Sequence, residues 1–573
     1  MRSFVVFCFA CAAPAFAQLK VVTPEVAAQP PAHPAPVATP VWAPDGMSFA
    51  WRHKDGLHVY DIRSRSRRRV VATEALEGQA AKVPSEPAFT WENRRVTEHQ
   101  LQWFPDGRTF LVSVGQDLFT VDVVSAKIRQ LTSTAEAERD PKLSPDGKSV
   151  SFIRGNEVWV LPTAGGLARK LTSGSSATVW NGRTDWVYPE ELDLGTAHWW
   201  SPDSRTIAFL QFDVSRQVVY PHAHLVPVEA IYEPQRYPKA GTPNADVKLG
   251  VVAADGGQVR WMDINGGNDS LLARVQWLPD SRRIAVQRLN RVQNRLDLVF
   301  VAGDSGEART VLTETDPHWI DISNDLHFLD GEKFVWSSER SGYRHLYVFD
   351  ESGKQVTQLT SGNFEIKSVV AVDRRQKLVY FESRERTPVG VDLWTVPLGG
   401  GTRNLITKAA GVHQVSMPAK SPQYYIDTWS TSADPTRKTL HSVSGEQLDI
   451  IVAVPPASTE YIYIRPEILT LKAADGETLY ARLIRPSNFD SSKKYPAIVL
   501  AYGGPHAQDV LDVWMGLTAQ QAFAQAGYVV WQLDNRGTAG RGQAFETKLY
   551  RRLGKQELED QAHGVRHLLQ MGF

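Results

Sequence analysis

Apolar and polar residues alternate along much of the chain between residues 41 and 460. Residues 148–153 show the period of two that is typical of a half-buried β-strand. A Pro-Asp-Gly or Pro-Asp-Ser turn precedes such a strand at residues 44–46, 105–107, 145–147, 202–204 and 279–281. Weaker copies of the turn follow at residues 328–331, 371–373 and 416–418. Because proline, aspartate and glycine favour tight turns, each copy predicts a β-hairpin.

A second pair of strands usually follows the turn, as residues 157–161 and 168–172 illustrate. Four antiparallel strands that recur every ~40–80 residues predict a β-propeller of about eight blades, each packed on its neighbours. An irregular array of β-sandwiches is the alternative, but the regular recurrence of the turn favours the propeller. The wide gap between the fourth and fifth turns predicts insertions on a rim. We therefore expect residues 41–460 to form the propeller.

The pattern changes after residue 460. Its segments are alternating strands at residues 467–473 and 477–484, buried apolar strands at 497–501 and 528–533, and a small helix at 517–526. A closing amphipathic helix has five apolar residues on one predicted face: Leu558, Ala562, Val565, Leu568 and Leu569. Strands that alternate with helices predict a parallel α/β sheet, and we expect residues 461–573 to contain only its first half.

The first residues predict export. Residues 1–17 combine one cation, a short apolar run and an Ala-Phe-Ala ending, which is typical of a bacterial signal peptide cleaved after Ala17. The apolar run is shorter than the ~20 residues that a membrane anchor needs. A lipoprotein acylation site at Cys11 is the other alternative, and the residues before it match that pattern poorly. Residues 18–40 are predicted to be an extended lead-in rich in alanine and proline, and the mature protein is expected in the periplasm or outside the cell.

Composition excludes several classes of function. Lys plus Arg and Asp plus Glu both number 63, so no net charge attracts the chain to nucleic acid or to an acidic membrane surface. We expect neither a nucleic-acid partner nor a membrane span. Cys8 and Cys11, the two cysteines, lie in the predicted signal peptide, which excludes disulfides and cysteine-based metal or redox chemistry in the mature chain.

Several motifs occur together in a characteristic order. Residues 185–192 read Asp-Trp-Val-Tyr-Pro-Glu-Glu-Leu, and Trp-Trp-Ser-Pro follows at 199–202. The later motifs are Tyr-Gly-Gly-Pro at 502–505, Asp-Asn-Arg-Gly at 534–537, Arg-Leu-Gly at 552–554 and Glu-Leu-Glu-Asp-Gln at 557–561. The first pair resembles the double-glutamate motif of the dipeptidyl peptidase IV-like members of the prolyl oligopeptidase family of serine peptidases. The later motifs resemble the opening of that family's α/β-hydrolase domain. The resemblance implies a propeller at 41–460 and an incomplete α/β-hydrolase domain at 461–573.

Glu190 and Glu191 are the candidate substrate-binding pair. Pro189 suits the first position of a helix, and acidic residues in a first turn favour the positive end of the helix dipole, so a purely structural role remains open. Two adjacent carboxylates repel each other, however, unless a cation joins them. The terminal ammonium of a peptide is such a cation. The resemblance implies that this pair binds the free amino terminus of the substrate.

The resemblance also implies roles for two further residues. Arg139 lies in the predicted blade before the glutamates and would donate hydrogen bonds to a backbone carbonyl of the substrate. Its alternative is a surface arginine paired with Glu138 or Asp140. Tyr502 follows the strand predicted at 497–501 and would donate to the oxyanion of the tetrahedral intermediate, while a packing role is its alternative.

Two other patterns predict no cofactor and no metal site. The glycines of residues 537–542 lack the Gly-x-Gly-x-x-Gly spacing of a dinucleotide fingerprint, so this segment is predicted to be a loop. His222 and His224 alternate and could share one face as metal ligands, but no third ligand is evident nearby. We expect them in a rim loop.

The catalytic serine of this family stands in a Gly-x-Ser-x-Gly turn, followed in the chain by the acid and the histidine. The chain contains no such turn, and neither serine nor cysteine occurs after Ser492. We therefore expect an inactive fragment of a secreted serine dipeptidyl peptidase that releases X-Pro or X-Ala dipeptides, truncated before its catalytic serine. The alternatives are a catalytically dead propeller that binds peptide amino termini and a non-functional, aggregating product. Peptides with a free amino terminus are the expected partners, and the resemblance allows a homodimer of the full-length form.

Overall fold

The computed structural model describes residues 19–29, 40–81, 101–264, 270–454 and 457–573. The predicted signal peptide, residues 1–17 with Cys8 and Cys11, lies outside the described residues, and so do residues 30–39 of the predicted lead-in.

In the described part of residues 41–452, eight antiparallel sheets have four or five strands, and they are numbered here in chain order. Sheet 1 contains Val41–Trp42, Ser48–His53, Gly56–Asp61 and Ser66–Ala72. Sheet 2 contains Leu101–Trp103, Thr109–Val114, Asp117–Asp122 and Ile128–Gln130. Sheet 3 contains Arg139–Leu143, Ser149–Arg154, Glu157–Pro162 and Arg169–Lys170. Sheet 4 contains Val179–Asn181, His198–Trp200, Thr206–Asp213, Asp246–Ala253 and Arg260–Trp261.

The second half of the series has the same organisation. Sheet 5 contains Ser270–Trp277, Arg283–Asn290, Arg295–Ala302 and Ala308–Thr315. Sheet 6 contains His327–Leu329, Lys333–Ser338, His345–Asp350 and Gln355–Gln358. Sheet 7 contains Ile366–Asp373, Leu378–Ser383, Asp392–Pro397 and Asn404–Leu405. Sheet 8 contains Val412–Ser416, Tyr424–Ser430, Arg437–Ser442 and Gln447–Val452.

Each sheet shares a hydrophobic core with the next. Sheets 4, 5 and 6 contribute to one large cluster, and smaller clusters join the other neighbouring pairs. Sheet 1 also packs on sheet 8, where Phe49 and Tyr60 of the first sheet lie with Ile426 and Leu440 of the last. The sheets therefore form a closed ring, which confirms the predicted β-propeller of eight blades.

The predicted turns explain why the strands begin where they do. The five Pro-Asp-Gly or Pro-Asp-Ser turns each join two strands of sheets 1 to 5. In sheet 3, the backbone N–H of Lys148 donates to Asp146 Oδ1 at 3.0 Å. The residue after the aspartate has a positive φ, 73° at Gly147 and 64° at Ser204, which glycine adopts without strain.

Sheet 4 carries the insertion predicted between the fourth and fifth turns. A separate hairpin, Val219–His224 and Ile231–Arg236, leaves the sheet between its strands Thr206–Asp213 and Asp246–Ala253. His222 and His224 lie on the first strand of this hairpin, so the rim loop predicted for them is wrong. The alternation that made them candidate ligands is the period of that strand. Among the described residues, neither belongs to a group of three potential metal ligands.

Residues 461–573, called the hydrolase segment, form a mixed sheet with the strand order Glu467–Lys472, Thr478–Ile484, Val529–Asp534, Ala497–Leu500. The last two strands are parallel and the other pairs are antiparallel, which corrects the prediction of a parallel sheet. The reason is the connection: the first two strands are joined by a tight turn, and only the parallel pair is joined through a helix. Val499 is 41% exposed at the sheet edge, so the strand predicted as buried is half exposed.

The helices are short except for the last one. Four are Pro24–Ala27, Thr73–Glu77, Val187–Glu191 and Ala457–Glu460. The hydrolase segment contains Ala519–Gln525, Gln543–Glu546, the 3₁₀ turn Thr547–Leu549 and Gln556–Gln570. No helix of the described residues has the length and apolar character that crossing a membrane requires.

The buried face of helix Gln556–Gln570 shares only Leu568 with the predicted face. Asp560, Gly564 and Leu568 face the sheet, whereas Leu558 and Leu569 are more than 60% exposed. A Cβ on Gly564 would lie 2.9 Å from Leu533 Cδ2, so the glycine permits close contact between helix and sheet. The apolar pattern misidentified the face because the buried side contains a glycine and a charged residue.

Part of the predicted lead-in is packed rather than extended and free. Lys20 forms an isolated parallel bridge with Tyr461, and the backbone N–H of Val22 donates to Gln525 Oε1 at 2.7 Å. Val22 is buried. The first described residues therefore bind the hydrolase segment, because their backbone finds hydrogen-bond partners there.

Candidate functional site

Glu190 and Glu191 are the last two residues of the short helix Val187–Glu191, which connects strands Val179–Asn181 and His198–Trp200 of sheet 4. The helix begins two residues before Pro189, so the proline is its third residue, where a missing N–H still breaks no helical hydrogen bond. Glu190 is half-buried and Glu191 is exposed. The pair therefore has one carboxylate at the surface and one partly withdrawn from it.

Buried side chains hold this helix in place. Asp185 Oδ1 accepts hydrogen bonds from the backbone N–H groups of Val187 at 3.1 Å and Tyr188 at 3.2 Å. The phenol of Tyr188 is buried and accepts from the N–H of Leu272 in sheet 5 at 3.0 Å. Arg274 Nη1 donates to the carbonyl of Leu192 at 2.7 Å. The glutamates are thus carried on a rigid support between sheets 4 and 5.

Arg139 begins the first strand of sheet 3 and is exposed. The strand has a bulge at this end, and Asp140 has a φ of 47°. Both neighbouring carboxylates have other partners: Arg154 Nη2 lies 2.6 Å from Glu138, and Lys142 Nζ lies 3.5 Å from Asp140. Arg139 is thus an exposed residue beside two carboxylates that also bind Lys142 and Arg154.

A hydrogen-bond network connects the Arg139 strand to the glutamate segment. Thr196 Oγ1 donates to Asp140 Oδ2 at 2.5 Å, and Lys142 Nζ donates to the carbonyl of His198 at 2.5 Å. Burial would raise the pKa of Asp140, but Lys142 and His198 hold it below its usual value. The charged carboxylate therefore fixes the segment that follows Glu191 to the residue next to Arg139.

Tyr502 follows strand Ala497–Leu500 and is 74% exposed. Gly503 has a φ of 78°, and a Cβ on Gly504 would lie 2.6 Å from Tyr502 Cε1, so these glycines let the ring lie across the backbone. The loop is bound to the one after strand Val529–Asp534, because Asn535 Nδ2 donates to the carbonyl of Gly503 at 3.3 Å. The phenol is thus placed at the carboxyl ends of the two parallel strands, where α/β proteins bind ligands.

Sequence reasoning missed a group of charged residues where the hydrolase segment meets the propeller. The acidic cluster consists of Asp321, Glu339, Glu365 and Glu546. Arg344 Nη2 lies 2.8 Å from Asp321 Oδ2, and the backbone N–H of Gly542 donates to Glu365 Oε1 at 2.5 Å. A cavity of about 100 Å³ lies beside these groups, lined by Asp321, Glu339 and Arg344 among others. The segment 537–542, correctly predicted to be a loop, supplies the contact with Glu365.

Burial and mutual repulsion change the ionisation of this cluster. Burial, followed by the charges of Glu365 and Asp321, raises the pKa of Glu546 to about 10. Burial and Asp321 raise the pKa of Glu339 to about 8. These acids are far apart in the sequence, so no local motif could have indicated the cluster.

Asp534 ends the central strand beside this region. Its buried carboxylate accepts hydrogen bonds from the backbone N–H groups of Asp509 at 2.9 Å and Val510 at 3.1 Å. Burial and the charge of Asp509 raise its pKa, while the two backbone hydrogen bonds and the charge of Arg482 lower it, and the net value is about 6. Asp534 therefore fixes the backbone of Asp509 and Val510, and its raised pKa shows that burial disfavours its ionised form.

We predict a pH effect of Asp534 on stability. Its folded pKa lies above the ordinary 3.8, so the folded chain binds more protons than the unfolded chain between these values. The free energy of unfolding should fall as the pH rises from about 4 to 6, by on the order of 2 kcal/mol. Asp534→Asn keeps an oxygen acceptor without the charge. It should remove the contribution of Asp534 to the pH dependence of the free energy of unfolding, which urea unfolding measures across that range.

Asp304→Asn, at an exposed turn, is the matched control and should leave the slope unchanged. An Asp534→Asn protein with the wild-type slope would contradict the assignment.

Comparisons with known proteins agree with this architecture. Residues 100–436 match the family described as the dipeptidyl peptidase IV N-terminal region, and residues 514–573 match the prolyl oligopeptidase family. The chain is 27% identical over 567 residues to a probable dipeptidyl peptidase 4 of Emericella nidulans, covering 92% of this chain and 70% of the relative. It is 28% identical over 458 residues to the dipeptidyl peptidase 4 of Trichophyton equinum, covering 74% and 58% of the two chains.

The fold also matches a solved structure. The crystal structure of Porphyromonas gingivalis dipeptidyl peptidase 4 superposes with a TM-score of 0.83 and 24% identity, covering 95% of this chain and 78% of that one. The N-terminal family match alone spans more than half of the chain. The predicted propeller and partial hydrolase domain are thereby confirmed. This protein belongs to the dipeptidyl peptidase IV-like members of the prolyl oligopeptidase family.

Proposed function

We propose that the chain binds the free amino terminus of a peptide through Glu190 and Glu191, as part of a serine-type peptidase that releases N-terminal X-Pro or X-Ala dipeptides. The observation that carries the proposal is the rigid support of the short helix Val187–Glu191. Asp185, Tyr188 and Arg274 fix this helix and its end, although it carries two adjacent carboxylates. An ammonium group would relieve the repulsion between them and donate hydrogen bonds to both.

Arg139 and Tyr502 are the other proposed site residues. Arg139 would donate to a backbone carbonyl of the bound peptide, and the network from Asp140 to Thr196 supports a fixed geometry relative to the glutamates. Tyr502 would donate to the oxyanion that forms when a serine attacks the scissile carbonyl. A donor of this kind acts in the transition state, so it contributes little to ground-state binding.

The test measures peptide binding, because the 573 residues contain no Gly-x-Ser-x-Gly turn. Calorimetric titration compares an Ala-Pro dipeptide with its N-acetylated form. Acetylation removes the cation, and we expect it to weaken binding by about a hundredfold, or ~2.7 kcal/mol. Glu190→Gln and Glu191→Gln should each weaken binding of the free dipeptide in the same direction.

Two variants control for indirect effects. Glu74→Gln changes an exposed acidic residue in the first turn of another short helix, Thr73–Glu77, and should leave binding unchanged. Tyr502→Phe should also leave it unchanged. Equal affinity for the free and acetylated dipeptides would reject the proposal.

We further propose the domain bounds, 41–460 for the propeller and 461–573 for the hydrolase part. They are supported by the gap between the last strand of sheet 8, Gln447–Val452, and the first of the mixed sheet, Glu467–Lys472. Export through the signal peptide at residues 1–17 is likewise a proposal from the sequence.

A homodimer of the full-length form is proposed as well. The inserted hairpin of sheet 4 supports it, because Val226 is 86% exposed and Leu225 is 76% exposed at its tip. Apolar side chains grouped in this way are typical of surfaces that pack against another protein.

A further inference from the structure

The imidazole of His506 lies between a propeller residue and a residue of the hydrolase segment. His506 Nε2 is 3.8 Å from Asp321 Oδ1, and its Nδ1 is 3.8 Å from Glu546 Oε2. One ligand atom from each of these residues can be chosen so that all lie within 4.8 Å of one another. Two carboxyl groups and an imidazole therefore lie close enough together at the domain junction to share one ligand.

Glu546 is an unusual member of this group. Its side chain is only 5% exposed, and His506, at 3.8 Å, is its sole ion-pair or hydrogen-bond contact within the described residues. A buried carboxylate without a hydrogen-bond donor is costly to keep in a folded protein. Because this carboxylate points at His506 and Asp321, the missing partner belongs at the point where the three meet.

The charges around this point are unbalanced. Four carboxylates, those of the acidic cluster, face one another across the junction. Arg344 and Arg384 are two guanidinium groups that act on Glu365. Asp316 is a further acid that acts on Glu339. Carboxyl groups therefore outnumber these guanidinium groups at the junction, which favours a bound cation there.

We propose that Asp321, His506 and Glu546 bind a divalent transition-metal cation, represented by Zn²⁺, that links the propeller to the hydrolase segment. Zn²⁺ accepts both imidazole and carboxylate ligands, and three protein ligands leave one coordination position for water. The His506 side chain is 46% exposed, so this position is accessible from solvent. Because His506 is four residues after Tyr502, the cation would also fix the loop that carries the phenol.

A second group of potential ligands provides the control. His53, Asp55 and His58 lie on the hairpin of sheet 1, where His58 Nε2 is 2.9 Å from Asp55 Oδ1. Here each imidazole already has the carboxylate as its hydrogen-bond partner, so this group does not need a cation. His58→Ala removes any contribution of the sheet 1 group without touching the domain junction.

The experiment uses the full chain in the His58→Ala background, stripped of metal with a chelator. Titration with Zn²⁺ against a colorimetric indicator should give one equivalent bound. At about a hundredfold excess over the Kd, Zn²⁺ should raise the Tm by about 2 °C or more. Adding His506→Ala should remove both the bound equivalent and the shift.

Glu546→Gln provides a readout that a merely structural role would not give. It replaces the carboxyl group by an amide of the same shape that cannot supply a carboxylate ligand, and within the described residues the Glu546 carboxyl group makes no hydrogen bond that the variant could lose. The metal-free variant should therefore have a Tm at least as high as its parent, and Zn²⁺ should no longer raise it. A lower metal-free Tm would mean that the carboxylate has a structural partner and would overturn the proposal. Failure to bind Zn²⁺, or binding that His506→Ala and Glu546→Gln both retain, would overturn it too. Dipeptide affinity is measured separately, so either proposal can fail alone.

Discussion

Asp560→Ala is expected to lower the free energy of unfolding of the hydrolase segment by about 3–5 kcal/mol. The carboxylate of Asp560 is buried, and Arg536 contacts it twice, with Nε at 3.0 Å from Oδ2 and Nη2 at 2.5 Å from Oδ1. The backbone N–H of Arg536 donates to the same group at 2.8 Å. Without the carboxylate, a buried guanidinium keeps, among the described residues, only the exposed side chain of Asp475 as its charged partner.

Hydrogen exchange of helix Gln556–Gln570 under increasing urea measures this change locally, so unfolding of the propeller does not obscure it. Lys493→Ala is the control, because it breaks the exposed pair with Asp490 at 3.4 Å and should cost less than about 1 kcal/mol. Similar effects of the two variants would show that the buried pair contributes no more than a surface pair.

Gly353→Ala is expected to destabilise the propeller by about 3 kcal/mol. Gly353 lies in the turn before the last strand of sheet 6 and has a φ of 89°. A Cβ there would lie 1.9 Å from the carbonyl oxygen of Val311 in sheet 5. The substitution therefore combines an unfavourable backbone conformation with a clash against a neighbouring blade that cannot rotate away.

Gly331→Ala separates these two contributions. Gly331 also lies in a turn of sheet 6 with a positive φ, 72°, but a Cβ there would meet no atom within 4 Å. We expect a loss of about 1 kcal/mol, from the backbone alone. The comparison uses urea unfolding followed by circular dichroism, and equal losses for the two variants would contradict the proposed contact between blades.

The propeller could be predicted from the sequence because its information is local. A Pro-Asp-Gly turn such as residues 145–147 determines its own hairpin, and the period of two determines which side chains are buried. The hydrolase segment was harder to predict. The buried face of its last helix contains Gly564, which packs on the sheet, and Asp560, which binds Arg536. Neither is a large apolar residue, so a pattern of apolar positions could not identify this face.

The residues of the candidate site also differ in whether the sequence could identify them. Glu190 and Glu191 are adjacent, so their sequence motif could identify them. Asp321 and Glu546 meet only because two domains dock, and they lie 225 positions apart in the chain. A contact of this kind has no signature in sequence spacing, and only a three-dimensional arrangement can reveal it.

The ring closes at the junction between sheets 1 and 8. In the described residues, every strand of each of these sheets comes from one continuous stretch of chain, so no strand pairing crosses the junction. Side chains make the connection, through stacked Phe49 and Tyr60 against Ile426 and through Trp42 Nε1, which donates to Ser416 Oγ at 2.9 Å. Among the described residues, side chains therefore close the ring at this seam, whereas the chain itself runs from each of the other sheets directly into the next.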